Sequence, residues 1–493
     1  MIAANLPILQ VIAPLLSAPL CVLLRRPGAA WAFALAVTWA SFAIALTLLS
    51  QVLESGPISY EIGGWAAPFG IEYRVDMISA FVLVIVSAIG SAIMLFARHS
   101  VASEIRRERI YLFYAMYLLC LSGLLGIAIT GDTFNLFVFL EISSLSSYVL
   151  ISLGQDKRAL TAAFRYLVMG AIGATFYIIG VGLMYMMTGT LNIADLAVRL
   201  PAVASTTTIL AALAFLTVGI SLKLALFPLH AWLPGAYAYA PSMVTAFMAA
   251  TATKVAVYIL IRILFTIFGG VDVMAGMHVG VILTGLAVIA MFAASTTAIF
   301  QPNLKRMLAY SSVAQIGYII LGISFASETG LAGGIIHLFN HAVTKSALFM
   351  VMGCVVLRVG SVNIRAFDGL GARMPLTMAA FVIAGLSLIG IPLTVGFISK
   401  WYLILAALEK GWWPIAVVVV LSSLLAVIYV WRVVEAAYFR PAAADAPEIS
   451  EAPASMLIAL WLMTGASVYF GVDATRTLDV ALGAAKLLLV DRI

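Results

Sequence analysis

Five charged residues lie deep inside apolar segments of this sequence. They are one acid and four lysines, namely Glu141, Lys223, Lys254, Lys345 and Lys400. A charge at the centre of a membrane helix costs about 2.5–3.5 kcal/mol on insertion scales. Five isolated charges would together cost on the order of 12–18 kcal/mol, which is comparable to the stability of a whole domain. We therefore expect these residues to face water or one another, and to be functional.

The chemistry that suits these residues is proton transfer. Glu141 is the only acid so far inside an apolar segment. Burial lowers the affinity of a lysine for a proton, and an adjacent carboxylate raises that affinity again. A lysine whose distance from a carboxylate changes would therefore switch between binding and releasing its proton. Lysine can release its proton whereas arginine cannot, and all four buried bases are lysines. Two alternatives stay open: a neutral, hydrogen-bonded Glu141, and a Lys223 whose amine reaches the membrane surface.

Two histidines precede one of the lysines at a spacing of four. His337, His341 and Lys345 therefore lie on one face of a predicted helix. Two histidines at this spacing can bind zinc, but no third ligand accompanies them, and we predict neither a metal site nor a cofactor. Two alternatives remain for these histidines. They are either core residues with hydrogen-bond partners, or members of a proton relay, for which the near-neutral pKa of an ordinary imidazole is suited.

Prolines interrupt two of the apolar segments, and polar residues lie close to the charged ones. A proline within a membrane helix leaves backbone carbonyls free, which is tolerated around a cavity. We predict that Pro228 and Pro392 break helices near Lys223 and Lys400. Three polar residues could hold water beside the five charged residues or gate a path along them, namely His230, Ser311 and Gln315. Each of them could equally serve helix packing.

The composition shows where these segments reside. Of the 493 residues, 64% are hydrophobic and only 10% are charged, against about 25% charged in soluble domains. Too few charges are present to cover a soluble surface of this size, so the bilayer must surround most of the chain. The net charge of +6 forms no basic run, and we expect no nucleic-acid partner. The three cysteines are far apart and form no metal or disulfide framework.

A helix needs about 20 apolar residues to span a bilayer. By this criterion the chain contains about fourteen membrane helices. They are predicted near 5–24, 29–53, 77–97, 110–130, 132–153, 160–187, 207–230, 242–266, 276–299, 303–325, 329–357, 376–408, 412–439 and 453–472. With both termini on the outer side, sixteen basic residues fall inside and six outside, as the positive-inside rule requires. The sequence thus predicts an all-α polytopic membrane protein. The similar broken segments 219–234 and 385–401 indicate inverted repeats.

Four motifs carry a resemblance to a known family. They are LALFPLHAWLPGAYAYAPS with TKVAVYILIR, KRMLAYSSVAQIGY, HLFNHAVTKSALF and GLSLIGIPLTVGFISKW. They resemble the antiporter-like, proton-translocating membrane subunits of respiratory complex I, membrane-bound hydrogenases and Mrp cation/proton antiporters, and the chain is most similar to the D-type subunits of Mrp. The resemblance covers roughly residues 70–470. It implies two inverted five-helix repeats and the following regions: helices 1–3 in 1–109, a first repeat in 110–266, a second in 276–440, and a last helix with a tail in 453–493.

The resemblance also implies a role for each buried charged residue. Glu141 and Lys223 correspond to the family's ion pair on the fifth and the broken seventh helix, and Lys254 to its central lysine. His337, His341 and Lys345 correspond to the connection on the eleventh helix. Lys400 corresponds to the terminal lysine on the twelfth helix.

The first functional hypothesis is a proton-translocating subunit of a multisubunit Na⁺/proton antiporter in the cytoplasmic (inner) membrane, with other membrane subunits as partners. The alternative is a proton-pumping subunit of a complex I-type oxidoreductase or a membrane-bound hydrogenase. A passive scaffold would leave the five membrane charges unexplained. In either of the first two cases we expect a transporter subunit without catalytic residues of its own. The sequence contains no phosphate-binding loop and no nucleophile with a base.

Overall fold

Long apolar helices dominate the chain in the computed structural model, which describes residues 3–270, 278–442 and 448–490. The α-helices are α1 Leu6–Leu24, α2 Pro27–Ser55, α3 Met77–Glu104, α4 Ile110–Ile129, α5 Thr133–Ser152, α6 Lys157–Thr188, α7 Ile193–Arg199, α8 Thr207–Leu224, α9 Leu233–Tyr239, α10 Ser242–Ala250, α11 Ala252–Ile261, α12 Val279–Ile299, α13 Leu304–Ser324, α14 Glu328–Val359, α15 Leu370–Arg373, α16 Pro375–Ile389, α17 Val395–Glu409, α18 Trp413–Phe439, α19 Ala454–Val472 and α20 Thr475–Val490.

The predicted spans agree with these helices. Among the described residues, thirteen helices are long and apolar enough to cross a membrane, and each corresponds to one predicted span. The one remaining predicted span, 376–408, corresponds to the two 15-residue helices α16 and α17, which residues 390–394 separate. The predicted start of the ninth span at residue 276 lies outside the described residues, as do residues 443–447 of the predicted loop 440–452.

Both proline-containing breaks are present. The span predicted at 207–230 ends early, because α8 stops at Leu224 and Ala225 adopts a left-handed conformation with φ of 60°. Pro228 lies in the irregular segment between α8 and α9, and Pro392 lies between α16 and α17. Each break leaves backbone carbonyls at the end of a helix without intrahelical partners.

A third interruption was not predicted, because no proline marks it. The span at 242–266 is divided at Thr251, whose φ of −121° and ψ of −57° separate α10 from α11. Beyond α11 the chain continues as a π-helix over Arg262–Ile267. Such local π-helical turns are frequent at functional positions of helices.

The prediction of an all-α chain missed a small β-hairpin. Residues Ile58–Glu61 (β1) and Glu72–Val75 (β2) form an antiparallel pair, in which Ile58 lies opposite Val75. The hairpin lies in the long loop between α2 and α3, where the short alternation of apolar and polar residues is the β-signal. The fold class otherwise holds, because the described chain is helical apart from this hairpin and its loops.

Two matching junctions indicate an internal repeat. Asp132, which caps α5, forms a β-bridge with Asn192, and Asn303, which caps α13, forms one with Asn363. The second junction lies 171 positions after the first at both residues. Five membrane crossings separate the two junctions, so they lie on opposite faces of the membrane. This is the relation that inverted repeats produce.

The helix α14 runs through the centre of the second half. It packs against α3, α10, α13, α16, α17, α19 and α20. Nearly all of its residues from Gly330 to Val355 are buried. The 32-residue helix is unbroken, and the broken helices α10/α11 and α16/α17 both contact it.

Candidate functional site

Glu141 and Lys223 form the acid–base pair that the sequence predicted. Lys223 Nζ lies 3.6 Å from Glu141 Oε1 and donates a hydrogen bond of 2.8 Å to Ser144 Oγ. Hydrogen bonds between charged groups are normally 2.7–2.9 Å long. In this structure Ser144, one turn beyond Glu141, is therefore the hydrogen-bond partner, while the carboxylate acts on Lys223 only through its charge.

The local sequence accounts for the position of Lys223. It lies in the last turn of α8, where the free carbonyls of a helix end favour a cation. Gly170 of α6 makes room beside it. A Cβ at Gly170 would lie 1.9 Å from Tyr148 Oη and 3.5 Å from Lys223 Nζ. The small residue thus admits both side chains between α5, α6 and α8.

A small cavity extends from Lys223 towards the next lysine-bearing helix. It has a volume of about 30 Å³, and its polar lining includes Lys223, Ser143, Ser144 and Ser147. A cavity needs about 10–15 Å³ of such volume to hold a water molecule. The far wall is formed by residues of α11, which carries Lys254. The cavity can therefore hold water between the first pair and α11.

Lys254 is 1% exposed and is held by the break in its own span. Its Nζ donates a hydrogen bond to the carbonyl of Ala249, two residues before the break at Thr251, and contacts Thr253 Oγ1 at 3.4 Å. No carboxylate lies within ion-pair distance of Lys254 among the described residues. The amine is therefore held by backbone and hydroxyl oxygens and has no carboxylate partner among the described residues.

His337, His341 and Lys345 lie on one buried face of α14, as their spacing predicts. His337 Nδ1 lies 2.7 Å from Ser399 Oγ and its Nε2 lies 3.0 Å from Gln315 Oε1. The imidazole rings of His337 and His341 are 6.2 Å apart. Neither nitrogen of His341 has a hydrogen-bond partner within the described part of the chain. His341 therefore lies between two proton-carrying groups with both nitrogens available.

The last two lysines of the row are bound by carbonyl and hydroxyl oxygens. Lys345 Nζ donates to Leu308 O at 2.8 Å and to Ser311 Oγ, both on α13.

Lys400 Nζ donates to Leu388 O, Ile389 O and Ser423 Oγ at 3.1, 2.8 and 3.0 Å. The two carbonyls belong to the last turn of α16, which the break around Pro392 leaves free. The break thus supplies the binding site of Lys400.

Three predicted residues lie at the edges of this row. His230 stacks on Phe227 with ring centroids 5.1 Å apart and faces Tyr310 at 6.2 Å. No contact of His230 with a lysine of the row is present in the described structure. Pro228 and Pro392 shape the breaks, whereas Ser311 and Gln315 contact Lys345 and His337 directly.

Several residues of the site were not singled out in the sequence. Ser399 and Ser423 bind His337 and Lys400, and the ring of Tyr318 lies 4.7 Å from Lys400 Nζ. Ser399 directly precedes Lys400 in the sequence, which was an available signal. Tyr318 ends the motif KRMLAYSSVAQIGY but was not singled out within it. Ser423 gave no local signal, because isolated hydroxyls are common in membrane helices.

A further buried cation, Arg262, was also overlooked. It lies two helical turns after Lys254, and its guanidinium contacts Asp76 at 2.5 Å and donates to Tyr258 Oη at 2.9 Å. Asp76 caps α3 at the membrane surface. Burial acts to raise the pKa of Asp76, but the Arg262 charge and the hydrogen bonds outweigh it, and the pKa lies below its usual value.

No metal centre is evident in the part of the chain that the structure describes. No group of three or more His, Cys, Asp or Glu side chains comes close enough there to hold an ion. What the residues can do is exchange protons. The row contains one carboxylate, four amines and two imidazoles, with hydroxyls and a water-sized cavity between them.

Known proteins with related sequences and folds are numerous. Residues 130–426 match the family described as NADH:quinone oxidoreductase/Mrp antiporter, transmembrane. An NADH-quinone oxidoreductase subunit N from Desulforudis audaxviator is 43% identical and covers 95% of this chain and 96% of its own length. The D subunit of a Na⁺/H⁺ antiporter from Alkalihalophilus pseudofirmus is 34% identical over 79% of this chain and 78% of its own length.

A solved structure shows the same fold. A chain of the Mrp complex from Dietzia sp. DQ12-45-1b superimposes with a TM-score of 0.90 at 26% identity. The superposition covers 99% of this chain and 98% of that one. The helical arrangement described above is therefore shared over nearly the entire length of both chains.

Proposed function

This chain belongs to the NADH:quinone oxidoreductase/Mrp antiporter transmembrane family, and we propose that it is a proton-translocating subunit of a multisubunit Na⁺/proton antiporter. The observation that carries the proposal is the loose pair of Glu141 and Lys223 at one end of a row of buried proton-carrying groups. The pair lies 3.6 Å apart, beyond hydrogen-bonding distance, so its separation can change without breaking a direct bond.

The proposed path runs through the buried proton-carrying groups from Lys223 to Lys400. Protons load Lys223 beside Glu141, and cross the small serine-lined cavity towards α11, which carries Lys254. They continue through the His337–Lys345 segment of α14 and leave by Lys400. When Glu141 moves away, Lys223 loses its counter-charge, its affinity for a proton falls, and the proton is passed on.

The surroundings of Glu141 support assembly with another membrane subunit. Its side chain is 28% exposed in mid-span, on the face of α5 that also exposes Phe134, Val138, Leu145 and Val149. An ionisable group facing lipid there would carry the cost of a charge in hydrocarbon. We therefore assign this face to a partner subunit. The antiporter relative is itself named as one subunit, and the matching structure is a complex.

We place the chain in the cytoplasmic membrane with both termini outside, on the bias of its basic loop residues. We also propose the division into 1–109, 110–266, 276–440 and 453–493. The two matching junctions support it, because one lies in each proposed repeat.

A second candidate is a pumping subunit of a redox-driven complex. The 43% identity to a subunit of NADH-quinone oxidoreductase favours it. Both candidates use the same proton path and assign no catalytic chemistry to this chain. The subunits that copurify with the native chain distinguish them: cation/proton antiporter subunits support the first, and iron–sulfur or nickel subunits support the second.

The direct test is the variant Lys254→Ala, with Lys410→Ala as the control, because Lys410 is exposed and outside the row. Cation/proton exchange is measured in vesicles with a pH-sensitive dye at matched levels of the assembled complex. We expect Lys254→Ala to lower exchange by at least about 100-fold, as expected for a lost proton-transfer group. Lys410→Ala should leave it unchanged. Normal exchange with Lys254→Ala would overturn the proposed path.

A further inference from the structure

Lys305 is a buried lysine outside the row described above. It is the second residue of α13 and is 4% exposed. A cation near a helix N-terminus opposes the helix dipole. Its neighbour Arg306 is in the same position with respect to the dipole but is exposed. The position of Lys305 is therefore unfavourable in two ways, because its amine is buried and because its charge would oppose the helix dipole. This favours a role beyond helix stability.

A polar pocket of about 450 Å³ lies beside Lys305. It is formed at one membrane face, where α3 and α14 end and where α6, α10 and α13 begin. Its charged lining residues are Glu104, Asp156, Arg158 and Lys305. The side chains of Arg158 and Asp156 are 68% and 38% exposed, so the pocket is open to the surrounding water.

The two acids of the pocket are fixed in place. Glu104 accepts hydrogen bonds from the Ser242 amide and from the Ser242 and Ser100 hydroxyls at 3.0–3.1 Å. Asp156 accepts a hydrogen bond from Arg158, and this bond lowers the pKa of Asp156 below its usual value. An acid that stays ionised attracts protons to the pocket without storing them.

The helix α13 carries Lys305 in its first turn and contacts the row further along. One helical turn after Lys305 is Leu308, whose carbonyl binds Lys345 Nζ, and Ser311 follows as the second ligand of the same amine. One turn corresponds to about 5.4 Å along the helix axis. Further along the same face, Gln315 contacts His337 and Tyr318 contacts Lys400. Thus a single helix face carries contacts with three groups of the row.

We propose that Lys305 and this pocket form a second proton access to the row, separate from Glu141 and Lys223. The proposal rests on the proposed function. A proton moves from hydronium in the pocket to the free amine of Lys305. Lys305 then passes a proton through water or the Ser311 hydroxyl to Lys345, whose amine must be neutral at that moment. Lys305 returns to its free amine, and one proton has moved from the pocket to α14.

A structural role for Lys305 gives a different prediction. Its Nζ lies 3.3 Å from the carbonyl of Ala240 at the end of α9, so it could serve only as a cap for that short helix. Arginine retains the positive charge and the hydrogen-bond donors but does not release its proton. Lys305→Arg should therefore rescue a cap and should not rescue a proton relay.

The test measures proton movement in proteoliposomes that contain the whole purified complex. Lys305→Gln and Lys305→Arg should each lower the rate by at least about tenfold, as for removal of a proton-transfer group. The matched control Arg306→Gln should stay within about twofold, as expected for an exposed charge. A wild-type rate for Lys305→Arg would overturn the access role. If Lys254→Ala and the Lys305 variants all retain the wild-type rate in the same assay, the proposed function itself fails; if only the Lys305 variants retain it, the second access fails.

A second measurement does not depend on how the variants at Lys305 fold. Ser361 is exposed and lines the pocket, whereas Lys157 is exposed nearby but does not line it. The three native cysteines are buried. A membrane-impermeant, cationic thiol reagent on Ser361→Cys should repel protons and narrow the pocket, and lower the rate by about fivefold or more. The reagent on Lys157→Cys should change it little. An undiminished rate after complete labelling of Ser361→Cys would overturn the proposal.

Discussion

The two proline-broken helices hold their lysines in different ways. In the first half, Lys223 at the break after α8 is bound to one hydroxyl and lies 3.6 Å from the carboxylate of Glu141. In the second half, Lys400 is bound by two carbonyls freed at the break after α16 and by Ser423. No acid lies within ion-pair distance of Lys400 among the described residues.

This difference separates two tasks. A carboxylate on a different helix can approach or leave, so the charge felt by Lys223 can change. Carbonyls of the adjoining helix end are fixed dipoles, so the field at Lys400 is constant. The first break is suited to switching and the second to receiving a proton, although both carry the same residue type.

The largest expected effect comes from exchanging these environments. Glu141→Gln removes the switching charge with little change in shape, and Ser423→Asp places a fixed acid beside Lys400. We expect each to lower proton transport by about 100-fold: the first prevents loading, and the second traps the proton on Lys400. Transport in vesicles at matched complex levels checks both. Full activity of Ser423→Asp would show that the two breaks are not functionally distinct.

A pair that cannot switch provides a reference for Glu141 and Lys223. Asp76 and Arg262 are in direct contact, and arginine keeps its charge. Asp76→Asn should destabilise the subunit by about 3 kcal/mol, because it leaves a buried guanidinium without its partner. Thermal unfolding of the purified complex measures this loss.

The same pair has a defined pH dependence. The pKa of Asp76 is lower in the folded chain than its ordinary value of 3.8. Its contribution is therefore complete above that value and is lost as the pH falls through the folded pKa. The stability difference between wild type and Asp76→Asn should be constant near neutral pH and shrink only below about pH 4. A difference that already shrinks between about pH 7 and pH 5 would contradict this assignment.

The smallest expected effect concerns the space around Lys223. A Cβ at Gly170 would overlap Tyr148 Oη, whereas a Cβ at Gly182 on the same helix would meet nothing within 4 Å. Gly170→Ala should cost about 1–3 kcal/mol through overpacking, and Gly182→Ala should be neutral or slightly stabilising because alanine favours helices. Thermal unfolding of both variants compares them. Equal stability of the two would show that the contact at Gly170 can relax.

The sequence predicted most of the row because membrane burial makes charges conspicuous. Glu141 and the four lysines were identified from the cost of charges in apolar segments, and the common face of His337 and Lys345 from helical spacing. Both proline-containing breaks were also predicted. These signals are local, since each depends on residue type and on a few neighbouring positions.

What the sequence did not reveal depends on packing between distant segments. Ser423 lies 23 residues from Lys400, and no local pattern links them. Lys305 was not singled out, because hydropathy cannot tell a buried helix end from an exposed one. The break at Thr251 contains no proline, so the site of Lys254 could not be predicted from backbone chemistry.

The unbroken helix α14 has a mechanical consequence. It is a 32-residue rod, and the interruptions at Thr251 and at residues 390–394 lie in helices that pack against it. A rod that stays straight while its neighbours bend works as a strut between hinges. His337, His341 and Lys345 would then keep fixed positions on α14. All relative motion in the row would come from the groups on the neighbouring helices that contact them.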